Sequence, residues 1–356
     1  MKYFSLFSGI GGFELGIAKA YVEIINRNKI GAIKKDSKKN DAKRQRLESK
    51  KGKGTHDKKR QSLKLPDGND DKRAFINSDS KRIYEDIVGK LLQGKVPQTI
   101  WKDFADTPIG SIGPACVGYS EIDKYAIKIY EKYFNHKNYG DVRKIDARAL
   151  PDFDLLVGGF PCQSFSVAGK RKGFKDTRGT LFFEIARIVA AKKPRLLFLE
   201  NVKGLLSHQQ GRTFGTILAT LDELGYDIQW EVLNSKDHGV PQNRERVFIV
   251  GHLRGTSRPK VFPVKTNDER DCEQYVPEQE TARGVRNMSD LKSWWRHTMR
   301  IRKLTPVECE RLQGFPDGWT EGVSDTQRYK TLGNAVTVNA VQAVSKKLLN
   351  ARACQK

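Results

Sequence analysis

The residues Gly158–Val167, GGFPCQSFSV, set one cysteine at the end of an apolar run and inside a stiff turn. Asp154-Leu155-Leu156-Val157 followed by two glycines reads as a buried strand opening into a turn. Pro161 fixes the backbone just ahead of Cys162 and holds the thiol outward, which makes Cys162 the candidate nucleophile. A lone cysteine is more often a buried core residue. The Pro-Cys-Gln setting and two further motifs favour the reactive reading. Glu200-Asn201-Val202 closes the apolar run Leu196–Leu199. If that run and the strand before Cys162 are parallel neighbours, thiol and carboxyl face one cleft. The carboxyl can then protonate or hydrogen-bond a ring nitrogen while the thiolate attacks the ring. The plainer reading of Glu200 is an acid that caps the next turn. In Gln242-Asn243-Arg244-Glu245-Arg246, two arginines precede the strand Val247–Val250. They suit a phosphate or a base carbonyl, or surface ion pairs.

The elements that must position these groups follow from pattern. Residues 4–21 read as a strand, a Ser8-Gly9-Ile10-Gly11-Gly12 turn and an amphipathic helix beginning near Gly12. Such a turn lets backbone approach a ligand, and an acid ending the next strand can hold a ribose diol. The acid that fits is Glu121. Full GxGxxG spacing is absent, so a nucleoside without a pyrophosphate is favoured. From Ala115 strands and helices alternate, with helices expected over Lys124–Phe134, near Gly179–Ala191 and over Thr213–Leu224. That argues for a mostly parallel sheet with helices on both faces. The domains expected are a catalytic body of 1–21 and 112–252, a basic and largely disordered insertion of 22–111, a small segment of 253–302, and a C-terminal part of 303–356 returning to the body with a glycine turn at Leu332–Ala335.

The chain has 356 residues and a net charge of +23, which points to a polyanionic partner. Residues 21–100 contribute +11 of this, so the body is basic in its own right. Five cysteines without CxxC or Cys/His pairing suggest neither a disulfide framework nor a metal site. With no long apolar stretch, the expectation is a soluble, cytoplasmic protein.

The motifs FSGIGG, SEIDKYA, GDVRKI, GGFPCQSFS, RGTLFFEI, FLENVKGL, QNRERVFIVG, LTPVECERLQGFPD and LGNAV, in this order, resemble the bacterial cytosine-5 DNA methyltransferases of restriction-modification type. They span nearly the whole chain outside 22–111 and 253–302. The resemblance implies a Rossmann-like, S-adenosyl-L-methionine-dependent methyltransferase. In it Cys162 attacks carbon-6 of a cytosine flipped out of duplex DNA, Glu200 meets the base N3/N4 edge, and Arg246, with Arg244 nearby, positions base and catalytic residues. It implies a cofactor pocket of Phe7, Gly9, Ile10, Gly12, Glu121, Ile122, Asp141, Phe160, Pro161, Leu181, Asn334 and Ala335, with Glu121 on the ribose and Asp141 at the adenine amino group. Gln163, Ser166, Lys170, Arg171 and Lys172 would meet DNA. No metal is implied, the partners are duplex DNA and a cognate restriction endonuclease, and the chain would act as a monomer. Two departures stand out. The basic insertion is unusual for the family, and 253–302 is short for a target-recognition region. The second leaves open a catalytically weak or silent relative that binds nucleic acid. A tRNA methyltransferase of similar architecture is a lesser alternative, since Gln163 after the cysteine looks like the DNA-acting branch.

Overall fold

The computed structural model describes residues 1–25, 27, 114–161, 181–256, 259–264 and 302–353. Six strands are β1 (Lys2–Leu6), β2 (Ala115–Ser120), β3 (Leu155–Gly159), β4 (Leu196–Val202), β5 (Tyr226–Asn234) and β6 (Glu245–Leu253). The helices are α1 (12–25), α2 (Lys124–Tyr130), α3 (Leu181–Lys192), α4 (Arg212–Glu223), α5 (Pro306–Leu312), α6 (Asp325–Asn334) and α7 (Val338–Ala353).

The strand order is β2-β1-β3-β4-β6-β5. β1 pairs in parallel with β2 on one side and β3 on the other, so the order reverses direction at β1/β3. In open α/β sheets the crevice at such a switch point, outside the carboxyl ends of the strands, is where ligands bind. β3 and β4 are also parallel, whereas β6 lies antiparallel between β4 and β5. The expected helix-and-strand alternation therefore stops at β5. The reason is connector length: the ten residues 235–244 between β5 and β6 are too few for a parallel crossover, so the chain turns back on itself.

Period-two alternation sends each strand's side chains to two cores. Phe4, Leu6, Leu156, Leu197, Leu199, Val247 and Ile249 face α3 and α4 through Phe182, Ile185, Ile188, Ile217 and Leu221. Tyr3, Leu155, Val157, Phe198, Phe248 and Val250 face α1 and α7 through Phe13, Ile17, Val341, Val344 and Leu348. A third cluster wedges α2 against the C-terminal part, with the Tyr133 and Trp319 rings stacked at 3.7 Å.

Several boundaries differ from those read in the sequence. α2 ends at Tyr130 instead of Phe134, because the chain tightens into turns (Lys132 N to Ile129 O, Tyr133 N to Tyr130 O) that bring Tyr133 and Phe134 onto Trp319. Gly333 belongs to the last turn of α6 rather than to a separate turn. α1 runs past residue 21, since Val22 is buried and Glu23 pairs with Lys346 and Gln342 of α7. Residues 259–264, read as part of the 253–302 segment, instead join the body. Val261, Phe262 and Val264 are buried, and the Gln229 and Glu231 side chains bond the 259–264 backbone along β5. Most of 22–111, and most of 253–302 beyond residue 264, lie outside the described residues.

One buried polar cluster sits behind the glycine turn. Glu14 is 1% exposed, its Oε1 accepts from Tyr130 Oη at 3.1 Å, and its Oε2 has no hydrogen-bond partner among the described residues. Tyr130 Oη also lies 2.8 Å from His136 Nδ1. Burial pushes Glu14 up from 4.5 to about 7, against the opposing hydrogen bonds of Ser5, the helix backbone and Tyr130. A carboxyl raised on folding gives stability that is complete below its unfolded pKa and is lost as pH rises to its folded value. Glu14 should therefore cost about 3 kcal/mol progressively between about pH 4.5 and 7. Glu14→Gln removes this slope. The difference in melting temperature between variant and wild type should grow in the variant's favour across that window and level off above it. His136, held near 4 by burial, gives the same slope in both proteins. A pH-independent difference in melting curves would show that Glu14 titrates normally.

Candidate active site

The strand register builds the centre of the site. β3 pairs with β4 so that Gly159 stands opposite Glu200, and β4 pairs with β6 so that Glu200 stands opposite Phe248. Arg246, two residues before Phe248, shares its face of the sheet and is the diagonal neighbour of Glu200. The two meet as an ion pair, Arg246 Nε to Glu200 Oε1 at 3.1 Å. Gly159 leaves the space that the carboxylate fills, because a Cβ there would stand 3.0 Å from Glu200 Oε2. Glu200 is only 9% exposed. Burial raises its pKa, and Arg246 and Arg244 oppose this by charge. Such a carboxyl can hold a proton closer to neutrality than an exposed one and donate it to a ring nitrogen.

Two residues beyond Gly159 the backbone reaches exposed Pro161. Phe160, just before it, is buried against Phe182 and fixes the departing chain. Asn201 Nδ2 donates to the Phe160 carbonyl at 2.8 Å from a buried position, tying the Phe160–Pro161 backbone to the strand that carries Glu200. Cys162 itself lies outside the described residues, as do Gln163, Ser166, Lys170, Arg171 and Lys172.

A second half of the cleft lies at the carboxyl ends of β1 and β2. Phe7 takes a left-handed φ of 54°, uncommon for a side chain of this size and of a kind that concentrates at functional sites. Gly9 follows at φ 55° with open space where a Cβ would stand. Its N–H donates to Glu121 Oε2 at 2.9 Å, and Glu121 Oε1 accepts from the N–H groups of Ile122 and Asp123. A carboxylate offers about four acceptor positions, so one remains for a diol. Ile122 beside it is 68% exposed, an apolar face turned to solvent. Asn138 buckles this lip to the next loop. Its Oδ1 accepts from Glu121 N and Gly140 N, and its Nδ2 donates to the Glu121 carbonyl.

Other residues read in the sequence sit differently. The Ile10 side chain is buried among Tyr119, Tyr130 and Trp319, so only its backbone borders the turn. Gly12 backs onto Val336, bringing the start of α1 against the chain after α6. Asp141 caps a short 3-10 turn and is held by a bidentate Arg143 that keeps its carboxyl below the usual range, so an amino group there would share its oxygens. Leu181 is half-buried at the start of α3. Arg244 does not reach Glu200. Its Nη2 donates to the carbonyls of Gly333 and Ala335, which brings exposed Asn334 and buried Ala335 to this edge of the sheet. Burial lowers Arg244 to about 10. Asn138 and Asn201 were the positioning residues that sequence reading missed. Nothing in an isolated asparagine marks a backbone clamp.

A doubly wound sheet with an open glycine turn, a carboxylate bonded to that turn and a buried Glu–Arg pair at the same edge suits a nucleoside cofactor beside a ring substrate. The family model for C-5 cytosine-specific DNA methylases matches residues 106–280 and 265–350. The chain is 42% identical to the type II methyltransferase M1.ScrFI of Lactococcus lactis subsp. cremoris over 275 residues, 65% of this chain and 71% of that one. It is 34% identical to M.HhaI of Haemophilus parahaemolyticus over 66% of this chain and 88% of that one. The S. pombe Dnmt2 methyltransferase shares the fold, with a TM-score of 0.52 and 16% identity over 98% of each chain. The chain belongs to the C-5 cytosine-specific DNA methylase family. It is a DNA cytosine-5 methyltransferase that uses S-adenosyl-L-methionine. The open space at Gly9, the spare acceptor of Glu121 and the exposed face of Ile122 fit such a nucleoside. Among the described residues no group of His, Cys, Asp or Glu could hold a metal ion, and no helix is long and apolar enough to cross a membrane.

Asn201→Ala leaves the buried Phe160 carbonyl without its donor, at a cost of about 1–3 kcal/mol in stability. Loosening the Phe160–Pro161 backbone, which precedes Cys162 in sequence, should lower single-turnover methyl transfer roughly 10- to 100-fold, with cofactor affinity nearly unchanged. Thermal melts and a single-turnover assay check both, and an unaltered rate would show that the clamp does not position the turn.

Proposed function

We propose that this enzyme methylates cytosine through a covalent Cys162 adduct and is the modification half of a restriction-modification system. The observation that carries the mechanism is the register setting buried Glu200 opposite Gly159, three residues before Cys162, with Arg246 paired to its carboxylate. The target base leaves the helix, because its carbon-5 and carbon-6 are out of reach within the stack. The Cys162 thiolate adds to carbon-6 while protonated Glu200 donates to N3, and the electron pair of the 5,6 double bond moves to carbon-5. S-adenosyl-L-methionine, when bound, supplies the methyl group for carbon-5. Loss of the carbon-5 proton to a base then re-forms the 5,6 double bond and expels the thiolate, while N3 returns its proton to Glu200. Arg246 holds Glu200 in place and limits how far burial raises its pKa.

The cofactor walls are Phe7, Gly9, Gly12, Glu121, Ile122, Phe160, Pro161, Leu181, Asn334 and Ala335, with the Ile10 backbone and Asp141 at the margins. Gln163, Ser166 and the basic Lys170-Arg171-Lys172 meet the DNA, a reading supported by their place just after the Pro161 turn and by charge. Arg244 acts at one remove, by holding the 333–335 carbonyls. The domain division is a body of 1–25, 114–264 and 302–353, a basic insertion, and a shortened recognition segment within 265–301. The enzyme works as a monomer in the cytoplasm beside an endonuclease of the same specificity, in keeping with the type II names of its relatives.

Labelled methyl transfer to mixed-sequence duplex DNA tests this reading. The wild type should label cytosine carbon-5, Cys162→Ser should abolish incorporation, and Glu200→Gln should lower it roughly 10²- to 10⁴-fold. No incorporation by a folded, cofactor-binding wild type would overturn it in favour of a nucleic-acid-binding role.

A further inference from the structure

The cofactor cleft has two lips that belong to distant parts of the chain. One is the turn 121–123, carrying Glu121 and the exposed Ile122. The other is the end of α6, which presents Asn334. Lys330 stands four residues before Asn334 and so shares its face of the helix. Lys330 Nζ donates to Asp123 Oδ2 at 3.0 Å, joining the lips. Asp123 serves both sides at once. Its Oδ1 caps α2 by accepting from Tyr125 N at 2.9 Å, leaving Oδ2 for the lysine.

Docking of the C-terminal part does not need this pair. The Tyr133–Trp319 stack, the Tyr133 Oη bond to the Trp319 carbonyl and the Lys132 bond to the Glu321 carbonyl hold α2 against it elsewhere. Inside the C-terminal part, α6 is anchored through Arg328 to buried Glu310. The Lys330 side chain stays 56% exposed, at the rim rather than in the interface. What the pair adds is a solvent-exposed link between the 121–123 segment and α6, two surfaces already fixed behind it.

We propose that the Lys330–Asp123 ion pair is a tie across the mouth of the S-adenosyl-L-methionine cleft, slowing the exit of the cofactor and of its product S-adenosyl-L-homocysteine. The tie rests on the assignment of Gly9, Glu121, Ile122 and Asn334 to the cofactor cleft. Both residues are positioning residues and take no part in the chemical step. An exposed pair of this kind retards release only modestly, roughly two- to fivefold. Its effect must fade as salt screens it.

Stopped-flow dissociation of S-adenosyl-L-homocysteine from the full chain at low salt tests the tie. Lys330→Gln should release it roughly two- to fivefold faster than wild type, and Lys330→Arg should stay near wild type. Asp123→Asn, which keeps the side-chain oxygen that caps α2, should match Lys330→Gln. The double variant should be no faster than either single, because each removes the same interaction. In high salt the variants should converge on the wild type, while single-turnover methyl transfer at saturating cofactor stays the same throughout. Equal release rates for wild type and Lys330→Gln, or additive effects in the double variant, would overturn the tie while leaving the cleft assignment intact. Failure of the wild type to bind S-adenosyl-L-homocysteine would overturn the cleft assignment, and the tie with it.

Discussion

The site depends on keeping one carboxylate, Glu200, out of water at the carboxyl edge of the sheet with a single arginine beside it. Burial of an unpaired carboxylate is costly, and removing its partner is costlier than never having buried it. The pairing therefore constrains the topology. Because β6 is antiparallel to β4, its first residues lie at the carboxyl edge and bring Arg246 to Glu200. A parallel β6 over the same span would begin at the opposite edge and leave Arg246 roughly 13 Å along the strand from Glu200, four residues at ~3.3 Å each. The short β5–β6 connection thus delivers the partner charge as well as completing the sheet. Arginine suits the place better than lysine, since it remains charged when desolvated and its planar group keeps further donors. One of these, Nη1, bonds the Glu245 carbonyl, which fixes the guanidinium before any substrate arrives.

The end of the chain closes what the sheet begins. Arg244 grips the Gly333 and Ala335 carbonyls, and its own carbonyl accepts from Ser235 N and Oγ. From Ser235 a buried chain of hydroxyl and amide groups runs through Thr337 to Gln313. Lys19 of α1, lowered to about 8 by burial, bonds the Gly314 carbonyl, so the N-terminal helix is tied to the same region. Buried networks of this kind favour one arrangement, because a slip would unpair further polar groups; Arg244 Nε is already without a partner among the described residues. Asn334 is consequently held at the carboxyl edge of the sheet, more than 300 residues along the chain from the glycine turn.

Much of this was legible in the sequence because strands buried on both faces read as short apolar runs ending in glycine or an acid. The runs before Gly158 and Glu200 are the two strands whose pairing sets Glu200 opposite Gly159, and the glycine turn and Glu121 are bonded to each other as their strand ends allow. The direction of β6 was not legible from composition, since an apolar run carries no polarity; only the length of the connection decides it. Residues 259–264 were hidden for a different reason. Their backbone is bonded by the Gln229 and Glu231 side chains rather than by a strand ladder, so neither end shows a pairing pattern. Asn138 and Asn201 were invisible because a clamp is defined by which distant carbonyl it meets. Arg244 and Arg246 look equivalent two residues apart, yet the first lies before the regular ladder and turns to the C-terminal backbone while the second is held on the sheet face with Glu200.

The same topology fixes where the charged residues between α1 and β2 leave and rejoin the body. α1 starts at the carboxyl end of β1 and runs back along the sheet, packing its last turns on α7 through Glu23. β2 starts beside Lys2, with Ala115 N bonded to the Met1 carbonyl. Both points where the insertion joins the body therefore lie toward the amino edge, opposite the chemistry. The same residues inserted after β1 or β3 would displace the glycine turn or the Pro161 turn directly. Position relative to the two edges of the sheet, more than length or charge, decides whether such a segment is compatible with catalysis.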